Sequence, residues 1–435
     1  MERKNTEILK ISYKRLSSPV AYCALTAKSG TRDENPVYNG LAHFTEHMLF
    51  KGTKNRGATS INNLLEKVGG ELNAYTTKEE TVLHATVLKE DISKAVNLLF
   101  ELAFTSIFPQ KEIEKEREVI LDEIVSYKDL PAEAIYDNFE QLLFKGHPLE
   151  MQILGEKKTL NKINSHVFLE YLQTAFSPKN IVFTIVADLP ENKVLTMVKK
   201  GAEKYFGGEI QLQFVKEGDG FNLFPDKTSP DKTSPSQTSA NNSLTVRDLS
   251  VGRKFNETIG KKNHQAHCII GASAYSCMNE KRIPLALLVN IIGGPASNSL
   301  LNMVLREKNA LVYNVEANYT PYSDTGIFTV YFGCDKADVE RCLDLIKKEF
   351  SKLVQQELTE TALKRAKKQL LGQLSIAQDN AEAQCLSMGK SLAVYGKISN
   401  LNQMKLKIEA ITAKELQDIA EEVLSWDRLS ILLYR

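Results

Sequence analysis

His43-Phe44-Thr45-Glu46-His47 is an H-x-x-E-H stretch within the apolar run at residues 41–50, and its reading governs that of the whole chain. Residues four apart on a helix lie one turn above each other, so His43 and His47 share a face and Glu46 projects beside them. Two neutral imidazoles suit Zn²⁺, and a carboxylate held beside the metal rather than on it can take a proton from water. The order is that of the H-E-x-x-H zinc motif reversed. A second reading stays open on these residues alone. Ala42, Phe44, Met48, Leu49 and Phe50 make the segment apolar nearly all round, as in a buried helix whose histidines bond to backbone.

A catalytic zinc takes three protein ligands and keeps a fourth position for water. The acidic run from Glu112 to Ile124 supplies the candidates. With successive residues about 100° apart on a helix, Ile113, Ile120, Ile124 and Tyr127 form one apolar stripe. Glu116 and Glu123 fall together at its edge, whereas Glu114, Glu118 and Asp122 point to the opposite, solvated face. A charge run is commonly just such a solvated face, which accounts for the last three. A carboxylate turned toward a core needs a cation or hydrogen bonds, so Glu123 is assigned as third ligand and Glu116 as an orienting partner.

These residues resemble the pitrilysin family of inverzincin metallopeptidases, especially its mitochondrial processing peptidase branch. In that family H-x-x-E-H is followed by an E-R-E-V-I-L-x-E helix whose last glutamate completes the zinc site. Here Glu116-Arg117-Glu118-Val119-Ile120-Leu121-Asp122-Glu123 follows, with 76 residues from position 47 to 123. Gly30-Thr31-Arg32-Asp33-Glu34, Phe50-Lys51-Gly52-Thr53 and Leu72-Asn73-Ala74-Tyr75-Thr76 extend the likeness. The resemblance implies a zinc metalloendopeptidase with one Zn²⁺ per chain on His43, His47 and Glu123, and Glu46 as general base. It implies an α+β fold of two similar domains, each a mostly antiparallel sheet covered by helices, forming half of a clam-shell chamber.

The segment at 72–76 follows Gly69-Gly70 and precedes the polar turn Thr77-Lys78-Glu79-Glu80 and a second strand at 81–87, which reads as a hairpin. An edge strand leaves backbone groups free to pair with an extended peptide. By the resemblance, that strand holds the substrate, making Asn73 and Ala74 substrate contacts; without it, an ordinary hairpin strand is the reading. His84, on the second strand, is read as structural.

In the second half, Leu305-Arg306-Glu307-Lys308-Asn309-Ala310-Leu311-Val312-Tyr313 resembles the family's R-E-K-x-x-x-x-Y segment, implying that Arg306 and Tyr313 reach a substrate carbonyl. A guanidinium and a phenol can donate hydrogen bonds to the oxyanion formed on that carbonyl. Spacing alone reads instead as a helix-end arginine with a local salt bridge and a half-buried tyrosine. Gly293-Gly294-Pro295-Ala296 and Asn298-Ser299 also match, but Leu300 stands where the family commonly has a basic residue, a departure that bears on substrate choice. His264 and His267, three apart at a strand entry, face opposite sides and are assigned no metal. Family chambers contain four such domains, so the resemblance implies a homodimer whose active sites are completed in trans by Arg306 and Tyr313.

The remaining properties bound the function. The 55 Lys plus Arg against 54 Asp plus Glu give a net charge of +1, with no electrostatic case for a nucleic acid or an anionic membrane as partner. No apolar run reaches membrane-spanning length, and no signal-like stretch follows the charged start, so a cytoplasmic location is expected. The six cysteines lack C-x-x-C spacing, which favours a reducing compartment without structural disulfides. Pro225-Asp226-Lys227-Thr228-Ser229 recurs as Pro230-Asp231-Lys232-Thr233-Ser234, a composition with little to bury. The expected organisation is a catalytic domain at 1–220, a flexible linker at 221–247 and a second domain at 248–435. Strands are predicted at 20–27, 181–187, 267–274 and 326–333, and helices at 95–104 and 360–378, a mixture that suggests two α+β domains. Two other functional classes fit the same fold: a catalytically inactive structural subunit, and a peptide-binding module that grips chains without cutting.

Overall fold

β1 (Glu7–Arg15) pairs in parallel with β5 (Ile181–Ala187), Lys10 opposite Val182, and this distant pairing closes the centre of a six-stranded sheet. The computed structural model describes residues 6–218, 247–261 and 264–435, which divide into two compact units. In the first, the strand order is β3 (Glu71–Thr76), β4 (Thr81–Leu88), β2 (Val20–Ala27), β5, β1 and β6 (Ile210–Phe214). All seven residues of β5 are buried, as an interior strand covered on both faces requires. One face packs against α1 (Leu41–Leu49), α2 (Ala58–Glu66) and α3 (Ile92–Thr105), the last contributing Leu98, Leu99, Phe100 and Leu102 to the core. The other is covered by the helix Ala381–Tyr395, whose Cys385, Met388 and Leu392 pack against Ala24, Val82, Val182 and Val186. Gly389 is required there. A Cβ at that position would lie 2.6 Å from Thr26 Oγ1 on β2.

The second unit has the strand order β7 (Asn256–Ile259), β11 (Ser430–Tyr434), β8 (Ala266–Ala274), β10 (Gly326–Cys334) and β9 (Val312–Pro321). The helices Arg282–Gly293, Val339–Gln355 and Ala413–Leu424 join its main core. Its other face is covered by α5 (Pro131–Leu143), whose Ile135, Phe139 and Leu143 cluster with Ile269, Ile327, Leu432 and Tyr434.

The six predicted elements coincide with β2, β5, β8, β10, α3 and the helix Glu360–Ala377, each to within a few residues. This is an α+β fold with two mixed, mainly antiparallel sheets. The strands of each sheet come from one half of the sequence, whereas part of each unit's helical cover comes from the other. Residues 126–150 group with the second unit and residues 376–400 with the first. The reason is packing: the apolar faces of α5 and of Ala381–Tyr395 each meet the sheet of the other sequence half. The expected linker lies outside the described residues, except for Arg247. All six cysteines are free and buried, in line with the absence of structural disulfides. No helix among the described residues is long and apolar enough to cross a membrane.

Candidate metal centre

The zinc-motif helix is fixed before it begins. Glu34 is buried, and its carboxylate accepts hydrogen bonds from Gly40 N–H at 2.8 Å, Ala42 N–H at 2.6 Å and Asn39 Nδ2 at 3.0 Å. Burial pushes its carboxyl up to about 7, against those three bonds, which favour the ionised form. Gly40 takes a left-handed φ of 95°, which suits glycine at the helix start. Leu41, Ala42, Phe44, Met48 and Leu49 then bury the rest of α1, so only the strip carrying His43, Glu46 and His47 is left to do chemistry.

α4 (Gln110–Lys128) approaches that strip along its own buried edge, formed by Ile113, Glu116 and Ile120. Arg117 sets its rotation by donating to the carbonyls of Leu160 and Ile163 at 3.2 and 2.9 Å. Glu116 Oε1 accepts from His47 Nδ1 at 2.9 Å, and Lys51 Nζ donates to the other oxygen at 2.6 Å. Burial would raise the Glu116 carboxyl, but Lys51 and His47 outweigh it and hold the group below its usual value. The His47 proton is thereby held on Nδ1, leaving the Nε2 lone pair free for a metal.

That lone pair has company. His43 Nε2 and His47 Nε2 each lie 3.8 Å from the same oxygen, Glu123 Oε2. Tetrahedral coordination with bonds of about 2.0–2.1 Å sets ligand atoms about 3.3–3.4 Å apart, so a small inward shift would complete a site. Burial holds the His43 imidazole down to about 3, with His47 adding to the effect, so His43 is neutral as a ligand must be. Two imidazoles and one carboxylate form a donor set that zinc accepts, and no other such group is found among the described residues. His264 and His267 do not join one; His267 bonds to Tyr331 OH at 2.9 Å instead. His84 sits 3.1 Å from Glu382.

Glu46 stands apart from the ligand trio. Its carboxylate accepts from Thr76 Oγ1 at 2.6 Å. Burial raises its pKa, with the Thr76 bond and His47 opposing. Thr76 ends β3, the exposed edge of the first sheet, where Asn73 pairs with His84 and Ala74 with Leu83 on its inner side. Gly30 and Thr31 press against the hairpin turn at Lys78, leaving no space for a Cβ on Gly30, and Arg32 pairs with Glu79 at 2.6 Å.

The first unit thus brings together His43, Glu46, His47, Glu116 and Glu123, with Asn73 and Ala74 on the adjoining strand. Asp122, Glu114 and Glu118 are exposed, as the helical-face reading requires. Glu123 is itself 44% exposed, against 10% for Glu116, so the inward edge of α4 is wet at one end and dry at the other. Arg306 and Tyr313 belong to the second unit. Arg306 is exposed in a π-helical turn at Asn302–Glu307, and Tyr313, 60% exposed, donates to Asp335 at 3.2 Å. Sequence reasoning missed Lys51, Thr76 and Arg117 as supports of the site. Each lay inside a quoted motif, but nothing in the one-dimensional pattern says which carboxylate a lysine or threonine meets.

Residues 10–157 match the family described as Insulinase (Peptidase family M16), and residues 162–370 match Peptidase M16 inactive domain. An uncharacterized zinc protease of Streptomyces coelicolor is 30% identical, over 92% of this chain and 81% of its own length. The chain belongs to peptidase family M16. Among its M16 relatives, an uncharacterized zinc protease of Rickettsia felis is 31% identical over 92% of this chain and 89% of its own length. The mitochondrial-processing peptidase subunit beta of Bos taurus is 26% identical over 92% and 78%. A protease from Helicobacter pylori shares the M16 fold with a TM-score of 0.81 at 17% identity, covering 100% of this chain and 97% of the other.

Proposed function

We propose that this M16 member is a zinc-dependent endopeptidase that hydrolyses peptides or unfolded polypeptide segments. The observation that carries the reading is the convergence of His43 Nε2 and His47 Nε2 on one Glu123 oxygen while Glu116 holds the far side of His47. Bound zinc would supply Lewis acidity toward water and a peptide carbonyl. Glu46, free of the ligand trio and raised by burial, is poised to take a proton from the attacking water and return it to the leaving amine. The unpaired edge of β3 at Asn73 and Ala74 offers main-chain partners to an extended substrate. Arg306 and Tyr313 supply the oxyanion donors in this reading, and the chain works as a homodimer in which they act in trans.

Zinc content measured together with cleavage of a mixed peptide library tests the chemistry. One zinc per chain with cleavage is expected; zinc with binding but no cleavage favours the peptide-gripping alternative. Mixing tests the assembly. Glu46→Gln and Arg306→Ala homodimers should each be severely impaired, and subunit exchange should restore one intact site per mixed dimer. Verified exchange without recovered cleavage rules out completion in trans.

A further inference from the structure

We infer that Thr31 is the positioning residue for His43: its hydroxyl is linked, through a water bound between the two side chains, to the proton on His43 Nδ1. This rests on the zinc peptidase reading above and adds to it the residue that orients one of the two imidazoles. His43 Nε2 faces Glu123 Oε2, so a metal would take that nitrogen and leave the proton on Nδ1. For His47 the corresponding proton goes to Glu116 at 2.9 Å. His43 has no such carboxylate, and its Nδ1 is buried without a hydrogen bond.

Six buried side-chain atoms of the described residues make no hydrogen bond. Four of them, on Thr26, Glu80, His84 and Gln384, belong with the helix Ala381–Tyr395 on the far face of the first sheet, where Gly389 abuts Thr26, Lys390 pairs with Glu80 and Glu382 with His84. The other two are His43 Nδ1 and Thr31 Oγ1, on residues that are 8% and 0% exposed. They sit on adjoining elements, because the short helix Thr31–Asp33 packs against α1. α1 runs past β3 with Phe50 beside Leu72 and Glu46 bonded to Thr76, so its first turn, with His43, comes level with the hairpin turn beyond. There Thr31 N–H donates to the Thr77 carbonyl at 3.2 Å. Glu34, three residues after Thr31, accepts from the N–H of Ala42, the residue before His43. Thr31 is thus pinned between the hairpin turn and the start of α1. Buried polar atoms rarely stay unpaired, and one water satisfies both by accepting from Nδ1–H and donating to the threonine oxygen.

Thr31→Val removes the hydroxyl at nearly constant shape, and Thr31→Ser keeps it. Zinc affinity, measured by competition with a chelator, should fall at least about tenfold in Thr31→Val and return to the parent value in Thr31→Ser. Cobalt loaded in place of zinc reads the ligand geometry: its visible spectrum should change in Thr31→Val and match the parent in Thr31→Ser. A valine variant that unfolds at a lower temperature but keeps the parent's affinity and spectrum overturns the role of Thr31, as does a serine variant as weak as the valine one. If Thr31→Val does not fold, a crystal structure of the zinc-loaded parent decides. A water joining His43 Nδ1 to Thr31 supports the link, and a bond from Nδ1 to any other residue overturns it. A parent that holds one zinc per chain and fails these tests keeps the peptidase reading; a parent that binds no zinc loses both.

Discussion

The two units share the order of five strands and differ in the polar side chains their helices carry. Reading β3-β4-β2-β5-β1 against β9-β10-β8-β11-β7, five of the first sheet's six strands find counterparts in the second, including the parallel pairs β1 with β5 and β7 with β11, and β6 has none among the described residues. Where the first unit has α1 with its two histidines, the second has Arg282–Gly293, an apolar helix without His, Cys, Asp or Glu. Where the first has α4, with its buried Glu116, the second has Glu360–Ala377, which buries no residue and carries one acid among several lysines. The topology is fixed by apolar burial, which tolerates many sequences. A metal site tolerates few, because donor atoms must be of the right kind and in reach of one point.

The comparison breaks most openly at the proposed general base. Glu46→Gln should keep stoichiometric zinc while peptide cleavage falls by about 10²–10⁴-fold, measured as kcat at saturating peptide. Cleavage near the parent rate would mean that the chemistry is not in the first unit as described. Next comes the metal itself. One zinc per chain is expected, and Glu123→Ala should strip it under mild chelation, because it removes one of the three proposed ligands. Asp122→Ala, on the exposed face of the same helix, should retain metal like the parent. Two zinc ions per chain, or equal retention in both variants, would erase the asymmetry between the units.

A smaller effect is expected one shell out. Glu116→Ala should cost about 10–100-fold in zinc affinity or activity, since His47 would lose the partner that fixes its tautomer. Unchanged affinity would make the His47–Glu116 contact incidental. The mildest variant is Thr76→Val. The Thr76 hydrogen bond lowers the Glu46 pKa against burial, so its loss raises that pKa further. A base must be ionised to act, so the acid limb of the pH–activity profile should move to higher pH. An unmoved limb would separate β3 from the chemistry.

The candidate ligands were legible because helical periodicity is local: positions 43, 46 and 47 share a face whatever the rest of the chain does, and 116 and 123 share another. The likeness of the two units was not legible residue by residue. Equivalent positions share burial rather than identity, as His43 on α1 and the isoleucines of Arg282–Gly293 illustrate.

The sequence by itself determined the candidate zinc-ligand residue types, their spacing and the hairpin at β3, all of which rest on chemistry or short-range geometry. Only the tertiary structure decided that Lys51 neutralises Glu116, that Thr76 holds Glu46, and that α5 and Ala381–Tyr395 each cover the sheet of the other half. Those outcomes depend on which apolar faces and which charges meet after distant segments pack. No local pattern encodes such meetings, because the free energy that selects them belongs to contacts between residues far apart in the chain.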